Sequence, residues 1–132
     1  MGLTWSTYPA HGCDVLELAG QLTRTTALSL EPQLARLLTR AGSVLVIDLA
    51  AVDACDRVGL AMLEACRRAA VVAGVEMRLA APSMPAARAL RSGGLMTMFP
   101  VFGSVDAAAR GDVLDLLPRP ARPDDGFKRG HG

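Results

Sequence analysis

The 132-residue chain is 51% apolar, yet it contains no uninterrupted apolar stretch near the ~20 residues that a membrane-spanning helix needs. Membrane insertion is therefore not expected. The first residues, MGLTWSTYPAHG, lack a basic region followed by an apolar one, so the expectation is no secretory signal and a cytoplasmic location. The net charge is only +1, without a clustered basic excess, which argues against nucleic acid as the main partner. Cysteine is scarce: Cys13, Cys55 and Cys66 are an odd count with no CxxC pair. In a reducing compartment they read as free thiols, two of them packed in or near the core.

Catalytic constellations are missing as well. The two histidines, His11 and His131, fall near opposite ends of the chain in expected loop or tail. No GxSxG elbow, P-loop or GxGxxG occurs. His11 and Cys13 are close in sequence, but two ligands in a loop do not make a metal site. Asp48, Asp53 and Asp56 lie near one another only because a strand end and a turn fall there. The expectation is a non-enzyme with no cofactor and no metal.

What is present is a regular alternation of elements. Leu3 to Tyr8 favours a strand, Pro9 to Gly12 a turn, and DVLEL (Asp14–Leu18) alternates as a half-buried strand does. Leucines spaced three and four apart from Thr25 to Arg40 predict an amphipathic helix, with Thr25 or Thr26 placed to cap it and Pro32 in its early register. Val44 to Leu49 is a central strand, since Val-Leu-Val-Ile leaves little for a solvated face. A helix follows Asp56 and closes at Gly74. VEMRLA (Val75–Ala80) is another strand, and Ser83 to Ser92 a short helix ended by Gly93-Gly94. LMTMFPVF (Leu95–Phe102), interrupted by Pro100, predicts a turn and a short strand. Ser104 to Leu117 is read as the last helix, capped by Ser104, with Val105, Ala108 and Val113 among its apolar contacts. Residues 1–117 make one domain, and the Pro/Arg/Gly-rich tail 118–132 has little to bury and is expected to be disordered.

The helix after Asp56 carries two apolar stripes. Gly59, Leu63, Cys66 and Ala70 form one; Val58, Met62, Ala65, Ala69 and Val72 form its neighbour. One stripe is enough to dock on a sheet. The second is to be covered by the rest of the domain or by a partner, a homodimer included. Glu64 and Arg68 are in salt-bridge register.

The stretch VLVIDLAAVDACDRVGLAMLEACRR, with VLELAGQL before it and RSGGLMTMF after it, resembles the STAS domain, the fold of bacterial anti-sigma-factor antagonists. The resemblance runs from about Asp14 to Ala109. It implies an α/β fold with a mixed, mostly parallel sheet of four to five strands and about four helices. It also implies a regulatory protein that binds an anti-sigma factor of the kinase-like ATPase type and so releases a sigma factor. In that family the turn usually reads Asp-Ser-Ser-Gly or Asp-Ser-Thr-Gly, and a kinase phosphorylates the first hydroxyl residue. Here it reads Asp56-Arg57-Val58-Gly59, so the phosphoacceptor position is Arg57 and the usual switch is not expected. Among the hydroxyls elsewhere, Thr23, Thr25, Ser43 and Ser83 each have a capping or turn role.

The partner-binding surface implied is Asp53, Asp56, Arg57, Val58 and Gly59, together with Met62 on the spare stripe. Asp56 is also a helix N-cap on its own account. Arg57 reads either as a neutral surface substitution or as a contact to an acidic partner, and Met62 either as core filling or as an apolar partner contact. An alternative role for the same surface is a STAS subunit docked on the ATPase of a lipid-transporting ABC complex. A small-ligand sensor, with Met96, Met98, Phe99 and Phe102 around a pocket, is a third.

Overall fold

The computed structural model describes residues 2–40 and 42–117; the expected disordered tail lies outside the described residues. The elements run β1 (Leu3–Ala10), β2 (Cys13–Leu22), α1 (Arg24–Arg40), β3 (Val44–Cys55), α2 (Arg57–Ala73), β4 (Glu76–Ala80), α3 (Met84–Ser92), β5 (Val101–Phe102), α4 (Val105–Arg110) and β6 (Leu116–Leu117). Among the described residues they form one six-stranded sheet in sequence order, β1 through β6. Strands β2 to β5 are parallel neighbours, each joined to the next by a helix, as parallel pairing requires. The hairpin β1–β2 and the last pair β5–β6 are antiparallel. The α/β class and the mixed sheet agree with expectation, and the sheet has one strand more than the expected maximum.

Burial follows the two-residue period of the strands. Leu45, Ile47 and Leu49 of β3 face the larger core, where α1 contributes Leu30, Leu34 and Leu37, α2 contributes Leu63, Cys66 and Ala70, and α3 contributes Ala86 and Leu90. Val46 points the other way, into a smaller core with Val15, Ala80, Phe102 and the alanines of α4. Helices thus cover both faces of β3, which explains its apolar run. Phe99 and Phe102 are buried in different cores, so the four residues expected around one ligand pocket are divided between opposite faces of the sheet.

Two local expectations are corrected. The last helix stops at Arg110 because Gly111 takes the left-handed conformation (φ 69°) and its N–H bonds to the Ala107 and Ala108 carbonyls. Asp112 then caps a single 3-10 turn, Val113–Asp115, and Leu116 pairs with Phe102 as a strand. Val113 is consequently exposed rather than an apolar contact. At the start of α1 the first helical N–H, that of Arg24, bonds to Asp56 from across the fold; Thr26 instead accepts the Thr23 N–H and donates to the Gln21 carbonyl. On α2 the expected Glu64–Arg68 ion pair is present at 3.9 Å, and Arg67 adds two 2.9 Å hydrogen bonds to the same carboxylate.

One carboxyl is buried in the sheet. Asp48, 7% exposed, accepts the Ala50 N–H at 3.0 Å. Burial, with a smaller contribution from the Glu17 charge, raises its pKa above the ordinary aspartate value, while the Ala50 N–H opposes that rise. A folded-state pKa above the unfolded one means that the native chain holds a proton the unfolded chain has released. Its stabilising contribution is therefore present below the unfolded value and is lost as pH rises through the folded one. Asp48→Asn keeps the acceptor and removes the titration. Urea unfolding from about pH 4 upward should show the variant gaining on wild type as pH rises. A difference independent of pH would contradict this assignment.

Candidate functional site

The site begins where β2 and β3 end together. Leu22 and Cys55 are the last paired residues of the two strands, and the Asp56 N–H continues the ladder to the Leu22 carbonyl at 3.2 Å. The chain then enters α2. Asp56 has extended backbone geometry (φ −107°, ψ −179°), as an N-cap does. One carboxylate oxygen, Oδ1, accepts the Gly59 N–H at 2.9 Å, and Oδ2 accepts the Arg24 N–H at 2.9 Å. A single side chain therefore caps the first turns of both α1 and α2. These two hydrogen bonds, Gly59 first, hold its pKa below the ordinary aspartate value, and the nearby Arg24 charge adds to them.

Gly59 is required for space. A Cβ there would lie 2.2 Å from the Leu22 carbonyl oxygen and 2.8 Å from its carbon. The first turn of α2 rests directly on the end of β2, and no larger residue leaves room for that approach. Asp56 and Gly59 therefore hold the architecture, and the two residues between them are free to vary. Arg57 is exposed and has no ion-pair partner among the described residues; Val58 is 44% exposed. Asp53, also exposed, sits near the end of β3.

Met62 is half-buried against the core, its sulfur 3.7 Å from Cys66 Sγ. The first stripe of α2 docks as expected, with Gly59, Leu63, Cys66 and Ala70 buried and Leu60 added to them. Of the second stripe, Val58, Ala65, Ala69 and Val72 are exposed, Val72 at 90%.

Cys55 is partly buried beside Asp56. Burial, and secondarily the Asp56 charge, push its thiol up to about 11, so it stays protonated at neutral pH and is a poor nucleophile. Arg57 does not offset this. Burial likewise pushes the Cys66 thiol up to about 11. Among the described residues no group of three or more His, Cys, Asp or Glu side chains is arranged to hold a metal ion. No described helix is long and apolar enough to cross a membrane.

Sequence reasoning missed a groove beside the turn. It runs between α2 and α3 as adjoining clefts of about 300 Å³ and about 240 Å³ that share Arg57, Leu60 and Gly93. Gly93 looked like a helix stop and is one, donating its N–H to Ala89. It is also a close-approach position, where a Cβ would fall 2.9 Å from a Leu60 methyl. The paired glycines after α3 were the available signal. Another shallow groove lies along Met96, Met98, Phe99 and Leu116, with Phe102 outside it.

Comparison with known proteins places this geometry. The family model described as "STAS domain" matches residues 5–108. No curated protein matches the chain. A crystal structure of an anti-sigma factor antagonist from Mycobacterium paratuberculosis is similar, with 26% identity and a TM-score of 0.75 over 83% of this chain and 92% of that one. The anti-sigma factor antagonist SpoIIAA in its unphosphorylated form shares the fold at 13% identity and a TM-score of 0.67, covering 82% and 96% of the two chains. The phosphorylated form of SpoIIAA, described as a Bacillus cell fate determinant, does so at 12% and 0.57, covering 97% and 100%.

Two substitutions test the frame. Gly59→Ala should destabilise the domain by about 1–3 kcal/mol, the usual cost of overpacking against a position that cannot yield. Asp56→Ala should cost about 1–2 kcal/mol by removing a capping carboxylate, with Asp56→Asn between it and wild type because one amide oxygen remains. The wild-type advantage over Asp56→Asn is present above the unfolded aspartate pKa and fades as pH falls through the lowered folded value. Equal unfolding midpoints for all four proteins would contradict the shared-cap account.

Proposed function

This chain belongs to the STAS domain family, and we propose that it acts as an anti-sigma-factor antagonist, binding an anti-sigma factor of the kinase-like ATPase type to release a sigma factor. The observation that carries this reading is the match to an anti-sigma factor antagonist over 92% of that protein's length. The contact surface is the segment Asp53–Gly59, which runs from the end of β3 through the Asp56 cap into the first turn of α2. Asp56 and Gly59 fix the turn from beneath, and Arg57, Val58, Asp53 and Met62 supply the outward contacts.

On this reading phosphorylation does not switch the protein. A phosphate at position 57 would add negative charge and bulk in the middle of the contact. Arginine has no hydroxyl to take a phosphoryl group, and Val58 removes the neighbouring one. Arg57 does not mimic the phosphorylated state either, because its charge has the opposite sign. Binding is then constitutive and set by abundance or by competing partners. The raised pKa of Cys55 disfavours a thiol switch at this site. The chemistry is recognition rather than catalysis.

Capture of partners on immobilised protein tests the proposal. Wild type should retain a kinase-like anti-sigma factor, and Arg57→Glu should retain much less of it. Retention of a transporter ATPase instead would move the protein to the ABC-complex role. Incubated with that anti-sigma factor and ATP, wild type should take up no phosphate, whereas Arg57→Ser should become an acceptor. Phosphate on the wild-type chain would overturn the unswitched reading.

A further inference from the structure

We propose that the groove between α2 and α3 seats an acidic amphipathic helix of the partner, its apolar face on Leu60 and its carboxylates against Arg57 and Arg88. This rests on the binding role above and deepens it by naming the chemistry of the partner's contacting segment. The clefts that share Arg57, Leu60 and Gly93 continue into another of about 300 Å³ that reaches Pro85 and Arg88 through Cys55, Ala89 and Ser92. The result is one trough along the facing sides of two helices.

Its floor is apolar. Leu60 and Leu95 are buried there, and Met98 stands 45% exposed at one end. Gly93 brings the end of α3 onto Leu60, so the floor is closed and an occupant can enter only by its side chains. Helices wall both sides and no strand edge is presented, which suits a helix laid in a groove rather than an added strand.

The charges decide the sign of the occupant. The anions of the trough are already engaged: both Asp56 oxygens accept backbone N–H groups, and Glu64 is held by Arg67. The cations are not. Arg57 and Arg88 are exposed, and neither has an ion-pair partner among the described residues. Two guanidinium groups without ion-pair partners among the described residues, over an apolar floor, complement carboxylates spaced along an apolar helix.

The test places a photoreactive benzoylphenylalanine at Ser92, inside the trough, of the full chain expressed in its native cell; a second version of the chain carries it at Arg36 on α1. The crosslinked partner segment is sequenced and then synthesised as a peptide. The account expects crosslinking from position 92 to a segment with apolar residues on one helical face and Asp or Glu beside them. Affinity of that peptide should fall on the order of tenfold in the Arg57→Glu/Arg88→Glu double variant. Replacing the peptide's acids by lysine should restore binding to that variant. Both arginines are exposed, so the variant should retain the wild-type circular dichroism and unfolding midpoint.

A basic or uncharged segment, a nucleic acid or lipid adduct, no adduct from position 92, or an unchanged affinity would overturn the inference. An acidic segment from a transporter ATPase would uphold the groove and overturn the anti-sigma reading. An anti-sigma factor crosslinked only from position 36 would do the reverse.

Discussion

The organisation of this domain turns on the Asp56 carboxylate, which accepts one hydrogen bond from the first turn of α1 and one from the first turn of α2. Each helix start carries unsatisfied N–H groups and a partial positive charge, and a carboxylate between two of them answers both. The Leu22 carbonyl completes the junction. It accepts the Asp56 N–H and lies against Gly59, so the end of β2 and the beginning of α2 are set at contact distance. Four elements thereby meet at one point, and the orientation of α2 on the sheet follows from it.

That constraint separates structure from display. Asp56 and Gly59 are consumed in holding the junction, and only the residues between them face outward at the helix start. A surface built this way can change its chemistry at positions 57 and 58 without disturbing the fold beneath. In this chain those positions hold a cation, Arg57, and a branched apolar residue, Val58. A cation in the first turn of a helix is unfavourable by about 0.3–1 kcal/mol when exposed. The helix therefore gives no local reason for Arg57. The neighbouring trough does, because Arg57 forms part of its rim while the acidic groups nearby are engaged elsewhere.

Much of this was legible in the sequence because it depends on local periodicity and caps. The apolar run of β3, the docking stripe of α2 and the caps Ser83, Ser104 and Gly74 all rest on contacts within one element or its flanks. Features set by distant residues were not legible. The cap on α1 comes from Asp56, 32 positions along the chain, so the nearby threonines were the natural candidates. The helix expected to reach Leu117 ends at Gly111, and strand pairing with Phe102 claims the residues beyond. The trough beside the turn exists because Gly93 meets Leu60, a contact no spacing rule announces. The frame of the site could be read from four residues; the groove beside it required the neighbouring helix.

The most direct test of the proposed binding role is amide hydrogen exchange on the full chain, alone and with a saturating amount of the anti-sigma factor that the proposal expects it to bind. The account predicts new protection at residues 57–62 and along residues 85–98, with α4 and the β1–β2 hairpin unchanged. Protection centred on α4 or the hairpin, with the start of α2 unaffected, would contradict it.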